Sequence, residues 1–430
     1  MKKILLITYY WPPSGGAGVQ RPLKFAKYLS QAGYEVHVLT VDPAKASYPV
    51  TDSSLVSEVP EKINVHYSNS FEPLNLLGVF ISKNKIPYGG FANTKESFFQ
   101  KTLRYIRGNF FIPDARIGWV KFAEKKAAEI MRMESISNVI ISTPPHSSQL
   151  IGLKLKKKFQ FRWLADLRDP WTDIYYYKEL LHTQLSAEKD KAYERQVLEH
   201  ADEIIAVSLP IIKTFISKST KLLADKFHVL PNGFEESDFK LPAKRDKTIF
   251  WITYVGTMAE TYNPVVFFDA LKEVISMQQP FNISLRFVGS VADSVKKQLV
   301  DAKIINQVEI IPTVIHPKAV SYMQGSDMLL LAIPDTPGNE GILTGKLFEY
   351  LATRNPIIGI GPVKGEAAAI LTECSAGKMF ERSEKQSIIN YINSVILRWK
   401  SGENIENKSD VFFKYSRKEL ADKLIAIINN

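Results

Sequence analysis

Residues 4–29 read ILLITYYWPPSGGAGVQRPLKFAKYL. They pass from an apolar run through prolines and glycines into a helical pattern. Ile4–Tyr10 is β-branched and aromatic, the composition of a buried strand. In Val19–Gly33, apolar Leu23, Phe25, Ala26 and Leu29 recur near the helical period, and Gly33 is the stop signal. Lys2 and Lys3 before the run imitate a secretory signal. The run is shorter than a signal core, however, and no small-residue cleavage site follows it. A strand that turns directly into a helix constrains the chain toward a parallel sheet, because parallel strands need a crossover.

The same alternation continues. Glu35–Val41, Asn138–Ile141, Phe161–Asp166 and Glu203–Val207 read as strands, with helices over Lys121–Met133, Ser148–Phe159 and Ala187–His200. A second series follows: strands at Phe250–Val255, Ile283–Val288, Val308–Ile311, Met328–Ala332 and Pro356–Ile360, and helices at Pro264–Ser276 and Gly345–Ala352. Two α/β, doubly wound units are expected. The first covers residues 1–240 and the second 245–410, joined through LPNGFEESDFKLPAKRDK. Residues 71–119 fit the alternation poorly, mixing Leu, Phe and Tyr with Lys and Arg. They read either as an irregular packing insertion or as an apolar, basic surface for a lipid-linked acceptor or peripheral membrane contact.

Composition narrows the function classes. The net charge is +10, and all of it lies in the first half: 35 basic against 25 acidic residues up to Arg245, and 20 of each after it. Such a surface suits phosphorylated substrates, anionic headgroups or nucleic acid, but no nucleic-acid recognition motif is present. No stretch approaches the ~18 apolar residues of a membrane span. The single cysteine, Cys374, excludes an internal disulfide and agrees with a cytoplasmic location.

In open α/β sheets ligands bind beyond the carboxyl ends of strands, and the candidate motifs all follow expected strands. Ser14–Gly18 reads as a structural turn, a dinucleotide loop or a sugar or phosphate loop. The dinucleotide spacing fails because Arg21 stands where the third glycine belongs. His146, in STPPHSSQL, is a loop-presented imidazole. Asp166, Arg168, Asp169 and Asp173 crowd one strand end, either pairing among themselves or binding a metal. In EGILTGKLFEYLATRNPIIGIG, residues 340–361, Gly341, Thr344 and Gly345 suit a phosphate-cradling helix start, and Lys346 adds a cation. Glu349 lies one turn further, where a carboxylate can accept both ribose hydroxyls. The alternative there is a surface Lys346–Glu349 pair.

Taken in order, YYWPPSGGAGVQRPLKFAKYL, STPPHSS, LADLRDPWTD, LPNGF, YVGT and GKLFEYLATRNPII resemble the nucleotide-sugar glycosyltransferases of the GT-B fold, most closely the retaining, family-4-like group. The resemblance spans nearly the whole chain. It implies two facing Rossmann-like domains: an N-terminal one for the acceptor, completed by a returning C-terminal helix within about 411–430, and a C-terminal one for the nucleotide sugar. It places Gly15 and Gly16 at the transferred sugar and diphosphate, and His146 near the anomeric carbon. Lys346, Thr344, Gly345 and the strand end Gly256-Thr257 would face the diphosphate, and Glu349 the ribose. Asp166, Arg168, Asp169 and Asn232 become further cleft candidates.

Two departures from the family pattern are visible. The family's paired glutamates are separated by seven residues; counting back from Glu349 reaches Gly341, with Glu340 its neighbour, which the resemblance makes the catalytic candidate beside His146. VGTMAETYNP also lacks the usual basic residues, which leaves the diphosphate to Lys346, Arg21 or backbone amides. The implied activity is retaining transfer of a sugar from a nucleoside diphosphate to an acceptor hydroxyl, in cell-surface polysaccharide or glycolipid assembly. It needs no metal and no cofactor. A nucleotide-sugar epimerase of the same fold, or a degenerate transferase serving as an assembly partner, are the alternatives.

Overall fold

A computed structural model of the chain describes residues 2–72, 98–240, 243, 245–246, 248–277 and 282–430. Most of the 71–119 insertion, and part of the expected linker, lie outside the described residues. The chain forms two compact units, Met1–Pro231 with Ala421–Asn430, and Asn232–Leu420.

The first unit contains β1 (Lys3–Ile7), α1 (Ala17–Gln31), β2 (Glu35–Val41), β3 (Asn64–Ser68), α2 (Phe98–Phe110), α3 (Val120–Glu134), β4 (Asn138–Ser142), α4 (Gln149–Lys156), β5 (Arg162–Asp166), α5 (Gln184–His200), β6 (Glu203–Ala206), α6 (Leu209–Ile216) and β7 (Phe227–Val229). Its sheet is parallel throughout, in the order β3-β2-β1-β4-β5-β6-β7. The strands are apolar on both faces because both faces are covered. Leu5, Ile7, Val139 and Ile141 pack with Ala123, Ala127, Ile151 and Val197. Ile4, Leu6, Ile140 and Leu164 pack on the other side with Leu23, Ala26 and Leu29. That second layer also contains Ala421, Leu424 and Ile427 of the last helix, α13 (Arg417–Asn429), which thus returns to the first unit.

The second unit holds β8 (Ile249–Val255), α7 (Val265–Met277), β9 (Asn282–Val288), α8 (Asp293–Asp301), β10 (Val308–Ile311), α9 (His316–Gln324), β11 (Met328–Ala332), α10 (Gly345–Thr353), β12 (Ile357–Ile360), α11 (Glu366–Glu373), β13 (Gly377–Phe380) and α12 (Lys385–Lys400). Its sheet is also parallel, in the order β10-β9-β8-β11-β12-β13. Phe250, Ile252, Phe267, Leu271 and Phe287 fill one face; Leu329, Leu331, Leu347 and Leu351 fill the other.

The sequence pattern finds the central strands and misses β3, β7 and β13. All three are edge strands with incomplete burial, so their apolar signal is weak. The expected helix at 148–159 is shorter, because its register closes at Lys156 and the chain turns back through Lys158 and Phe159 to Leu155.

Arg21 on α1 is the buried polar anchor of the first unit. Its Nε lies 3.0 Å from both carboxylate oxygens of Asp166, its Nη2 2.8 Å from Oδ1, and its Nη1 donates to the Pro231 carbonyl at 2.7 Å. Ser142 Oγ donates to Asp166 at 2.7 Å. Both charged side chains are essentially inaccessible, at 3% and 0% exposure. Removing one partner of such a pair strands the other charge in a dry site, at a cost of about 3–5 kcal/mol. Arg21→Ala should lower the stability of the first unit by that amount in urea unfolding; a loss below about 1 kcal/mol would show that the pair is not the anchor.

Candidate functional site

Each sheet reverses strand order once, between β1 and β4 in the first unit and between β8 and β11 in the second. The crevice at such a reversal is where open α/β sheets bind ligands.

In the first unit the loop after β1 carries Gly15 and Gly16. The Gly15 N–H donates to the Val50 carbonyl at 2.8 Å, and a Cβ on Gly15 would press on Val50 and Asp52 at 3.1 and 3.2 Å. Gly16 starts α1 with φ +85°, a conformation that side chains resist, and a Cβ there would meet nothing within 4 Å. Gly15 is therefore a packing glycine and Gly16 the one facing open space.

Across the reversal, the loop after β4 presents His146. Its ring stacks on Trp171 with centroids 4.7 Å apart, and its Nδ1 is buried without a hydrogen-bond partner. Burial, reinforced by the charges of Arg168 and Lys218, pushes its pKa down to about 3. The imidazole is therefore neutral at physiological pH. Trp171 is itself fixed: its Nε1 donates to Asp190 Oδ1 at 2.8 Å, and Tyr177 donates to Oδ2 at 2.9 Å. Burial raises the Asp190 pKa to about 7, against these hydrogen bonds. Asp114 holds the other side of the loop, accepting from the Ser147 N–H and Oγ, both at 2.8 Å.

The aspartate cluster after β5 disperses on inspection. Asp166 is enclosed with Arg21, so neither is presented to a ligand, and the expectation that Arg21 serves a diphosphate is corrected: its guanidinium is spent inside the sheet edge. Arg168 is buried and its Nε donates to the Thr143 carbonyl, which ties the β4 and β5 loops together. Asp169 is half-buried, and burial raises its pKa. Asp173 pairs with Lys218.

The second unit brings its candidates together. Gly256 ends β8 with φ +109° beside Gly289, where a Cβ would strike the Gly256 carbonyl oxygen at 2.4 Å. Tyr254 donates to the Thr257 carbonyl at 2.8 Å. Lys346 Nζ bonds the Tyr254 hydroxyl and lies 4.1 Å from that ring's centroid and 5.3 Å from that of Tyr262. Burial lowers its pKa to about 7, with Glu349 opposing. The start of α10 has no side-chain cap. Thr344 Oγ1 is buried without a partner, and Gly345 is exposed with open space beside it. One turn along, Glu349 is 21% exposed and His316 Nε2 lies 3.0 Å from its Oε1. That hydrogen bond raises the His316 pKa. Neither the surface Lys346–Glu349 pair nor a bare helix surface describes this arrangement.

Glu340 sits in the short turn before α10 and is exposed. Asn232 is the half-buried first residue of the second unit. Sequence reasoning missed Asp114, Trp171, Tyr254 and His316. A signal existed for His316: like His146 it lies between an expected strand and a helix start, here marked by the proline that follows it. Trp171 and Tyr254 read as ordinary core aromatics, and only packing reveals what they hold.

Among the described residues one group has metal-ligand spacing, Glu35, His37 and Glu134, with donor atoms within 4.8 Å of one another. It lies at the amino ends of β1 and β2, away from the strand ends described above, and Lys3 pairs with both glutamates. No helix of the described residues is long and apolar enough to cross a membrane.

Two parallel, doubly wound sheets with a returning C-terminal helix define the GT-B fold, and solved structures match the chain along its whole length. Sucrose-phosphate synthase from Thermosynechococcus elongatus superposes with a TM-score of 0.62 at 12% identity, over 100% of this chain and 98% of that one. Anabaena HepE in complex with UDP-glucose gives 0.60 at 14%, covering 100% of both chains. A putative UDP-N-acetylglucosamine 2-epimerase from Listeria monocytogenes gives 0.54 at 11%, over 100% and 96%. No family model and no curated protein matches the chain. The chain thus has the fold of the GT-B glycosyltransferases.

Lys346 supplies a pH test. Protonated below about pH 7 and neutral above it, it attracts an oxyanion only on the acid side. Binding of inorganic pyrophosphate, followed by calorimetry, should weaken as pH rises from 6 to 9, and Lys346→Gln should flatten the profile. An unchanged slope in that variant would remove Lys346 from any anion site.

Proposed function

We propose that the protein is a glycosyltransferase that moves a sugar, with retention, from a nucleoside diphosphate to an acceptor hydroxyl. The observation that carries this reading is the grouping at the β8–β11 reversal: an uncapped helix start, a half-buried Lys346 and a carboxylate one turn in. The α10 N–H groups and Lys346 suit a diphosphate, and Glu349, steadied by His316, suits two vicinal ribose hydroxyls. The stabilised leaving group is then a diphosphate met by fixed dipoles and one cation, so the reading calls for no metal and no cofactor.

In the first unit His146 is neutral at physiological pH, with its ring position set by Trp171. Such an imidazole can accept a hydrogen bond from a sugar hydroxyl without repelling an oxocarbenium-like centre. Gly16 offers backbone to the same ligand. We assign the acceptor to this unit, as a carbohydrate or lipid-linked molecule. Tyr105 and Phe110 of α2 are exposed on a helix with no acidic residue, which supports peripheral contact with the cytoplasmic face of a membrane. Cell-surface polysaccharide or glycolipid assembly is the matching role.

A thermal-shift screen of the full chain over nucleoside diphosphates and nucleotide sugars tests the reading, since a ligand of the native state raises its apparent stability. No response to any of them would overturn it. An epimerase differs by changing the donor sugar with no acceptor present. Two variants separate the assigned roles. Glu349→Ala should raise the Kd for the responding diphosphate at least about tenfold, the loss of a charge-assisted hydrogen bond. His146→Ala should cut kcat by about 10²-fold while leaving that Kd within a factor of about three. The opposite pattern would reassign both residues.

A further inference from the structure

Lys346 occupies the second position of α10, at the end of the helix dipole that disfavours a cation. Glu349, the acid on the same helix, bonds His316 at 3.0 Å, and among the described residues no ion pair joins Lys346 to a carboxylate. What surrounds the ammonium is aromatic. Its Nζ donates to the Tyr254 hydroxyl and lies 4.1 Å from the centroid of that ring and 5.3 Å from that of Tyr262. Ring faces are negative and attract a cation, yet they leave its full charge in place.

Tyr254 fixes the direction of this contact. Its side chain is fully buried on β8, and burial holds its pKa well above the ordinary value, so the phenol keeps its proton. That single proton goes to the Thr257 carbonyl at 2.8 Å, which leaves the hydroxyl to accept from Lys346. The next residue, Val255, donates its N–H to Tyr350 Oη at 2.9 Å. Tyr350 follows Lys346 by four residues, on the same face of α10. Strand and helix are thus joined twice, side by side. Gly256 leaves room for the lysine stem: its φ is +109°, and a Cβ there would stand 3.4 Å from Lys346 Cε and Nζ. An ammonium has three donors, and among the described residues only Tyr254 takes one.

We propose that Tyr254 is a positioning residue for donor binding: with the ring of Tyr262 it holds the Lys346 ammonium at the uncapped start of α10 and leaves its remaining N–H groups to the diphosphate. This rests on the donor assignment made above. The two tyrosines give one lysine a defined place beside a strand end, VGTMAETYNP, that has no basic residue of its own. The titratable groups around Lys346 are Tyr254 and Tyr262, both kept protonated by burial, and Glu349, whose charge opposes the lowering of the Lys346 pKa and which itself bonds His316. A hydrogen bond accepted from the ammonium favours the charged form.

The test follows two quantities on the full chain. One is the Kd of inorganic pyrophosphate, by calorimetry from pH 6 to 9. The other is the titration of Lys346, from the NMR shift of its ε-carbon, identified by its loss in Lys346→Gln. Tyr254→Phe keeps the ring and removes the acceptor. It should move the Lys346 midpoint down by at least about half a pH unit and raise the pyrophosphate Kd at pH 7 by about three- to tenfold. Tyr262→Leu should weaken binding in the same direction and Tyr262→Phe should restore it; this pair carries the test if Tyr254→Phe does not fold. In a Lys346→Gln background Tyr254→Phe should be silent, whereas a merely structural loss would persist there. An unchanged Kd in Tyr254→Phe, or an equal loss in the Lys346→Gln background, would overturn the proposal. If the wild-type chain binds neither pyrophosphate nor any nucleoside diphosphate, the donor reading falls. The NMR midpoint then decides the contact alone: moved in Tyr254→Phe if Tyr254 holds Lys346, unmoved if it does not.

Discussion

Every strand of both sheets runs parallel to its neighbours, and the rest of the molecule follows from that constraint. Parallel pairing forbids hairpins and requires a crossover connection between successive strands, usually a helix. All loops that follow strands therefore leave from one edge, and all loops that precede them enter at the other. Where strand order reverses, two such loops diverge and expose the starts of their helices. Gly16 and His146 flank one reversal; Gly256 and the start of α10 belong to the other.

Within this frame the two units handle charge differently. The first buries it. Arg21 and Asp166 neutralise each other under the β4–β5 edge and hold α1, two strands and the Pro231 carbonyl in register. Trp171, Asp190 and Asp114 then fix the His146 loop by stacking and hydrogen bonds. The second unit leaves its charge available. Lys346 is set against two tyrosine rings rather than a carboxylate, and the helix start beside it has no cap. Donors held in place without being satisfied are what the proposed diphosphate site requires.

Legibility in the sequence tracked burial. Central strands such as β1, β8 and β11 announce themselves because both faces are covered and the run is continuously apolar. Edge strands β3, β7 and β13 do not, since solvent permits polar residues there. His146 was readable because it follows a continuously apolar strand directly, whereas Lys346 and Glu349 stand on α10 beyond a longer loop after β11, where only the turn residues mark a helix start. Arg21 was misread for the same reason: proximity to the loop suggested a ligand, whereas its partner Asp166 lies 145 residues away.

The sequence by itself determined the alternation of strand and helix, the two doubly wound units and the loops that could bear chemistry. Local periodicity and turn residues decide these, and both are written in short windows of chain. Tertiary structure alone decided which polar groups are consumed internally and which remain. Asp166 took Arg21, Asp190 took Trp171 and Tyr177, and Asp114 took Ser147, leaving Lys346 set against tyrosine rings and His146 Nδ1 without a hydrogen bond. Pairing of this kind joins residues far apart in sequence, and its energy depends on burial and geometry, which no local pattern encodes.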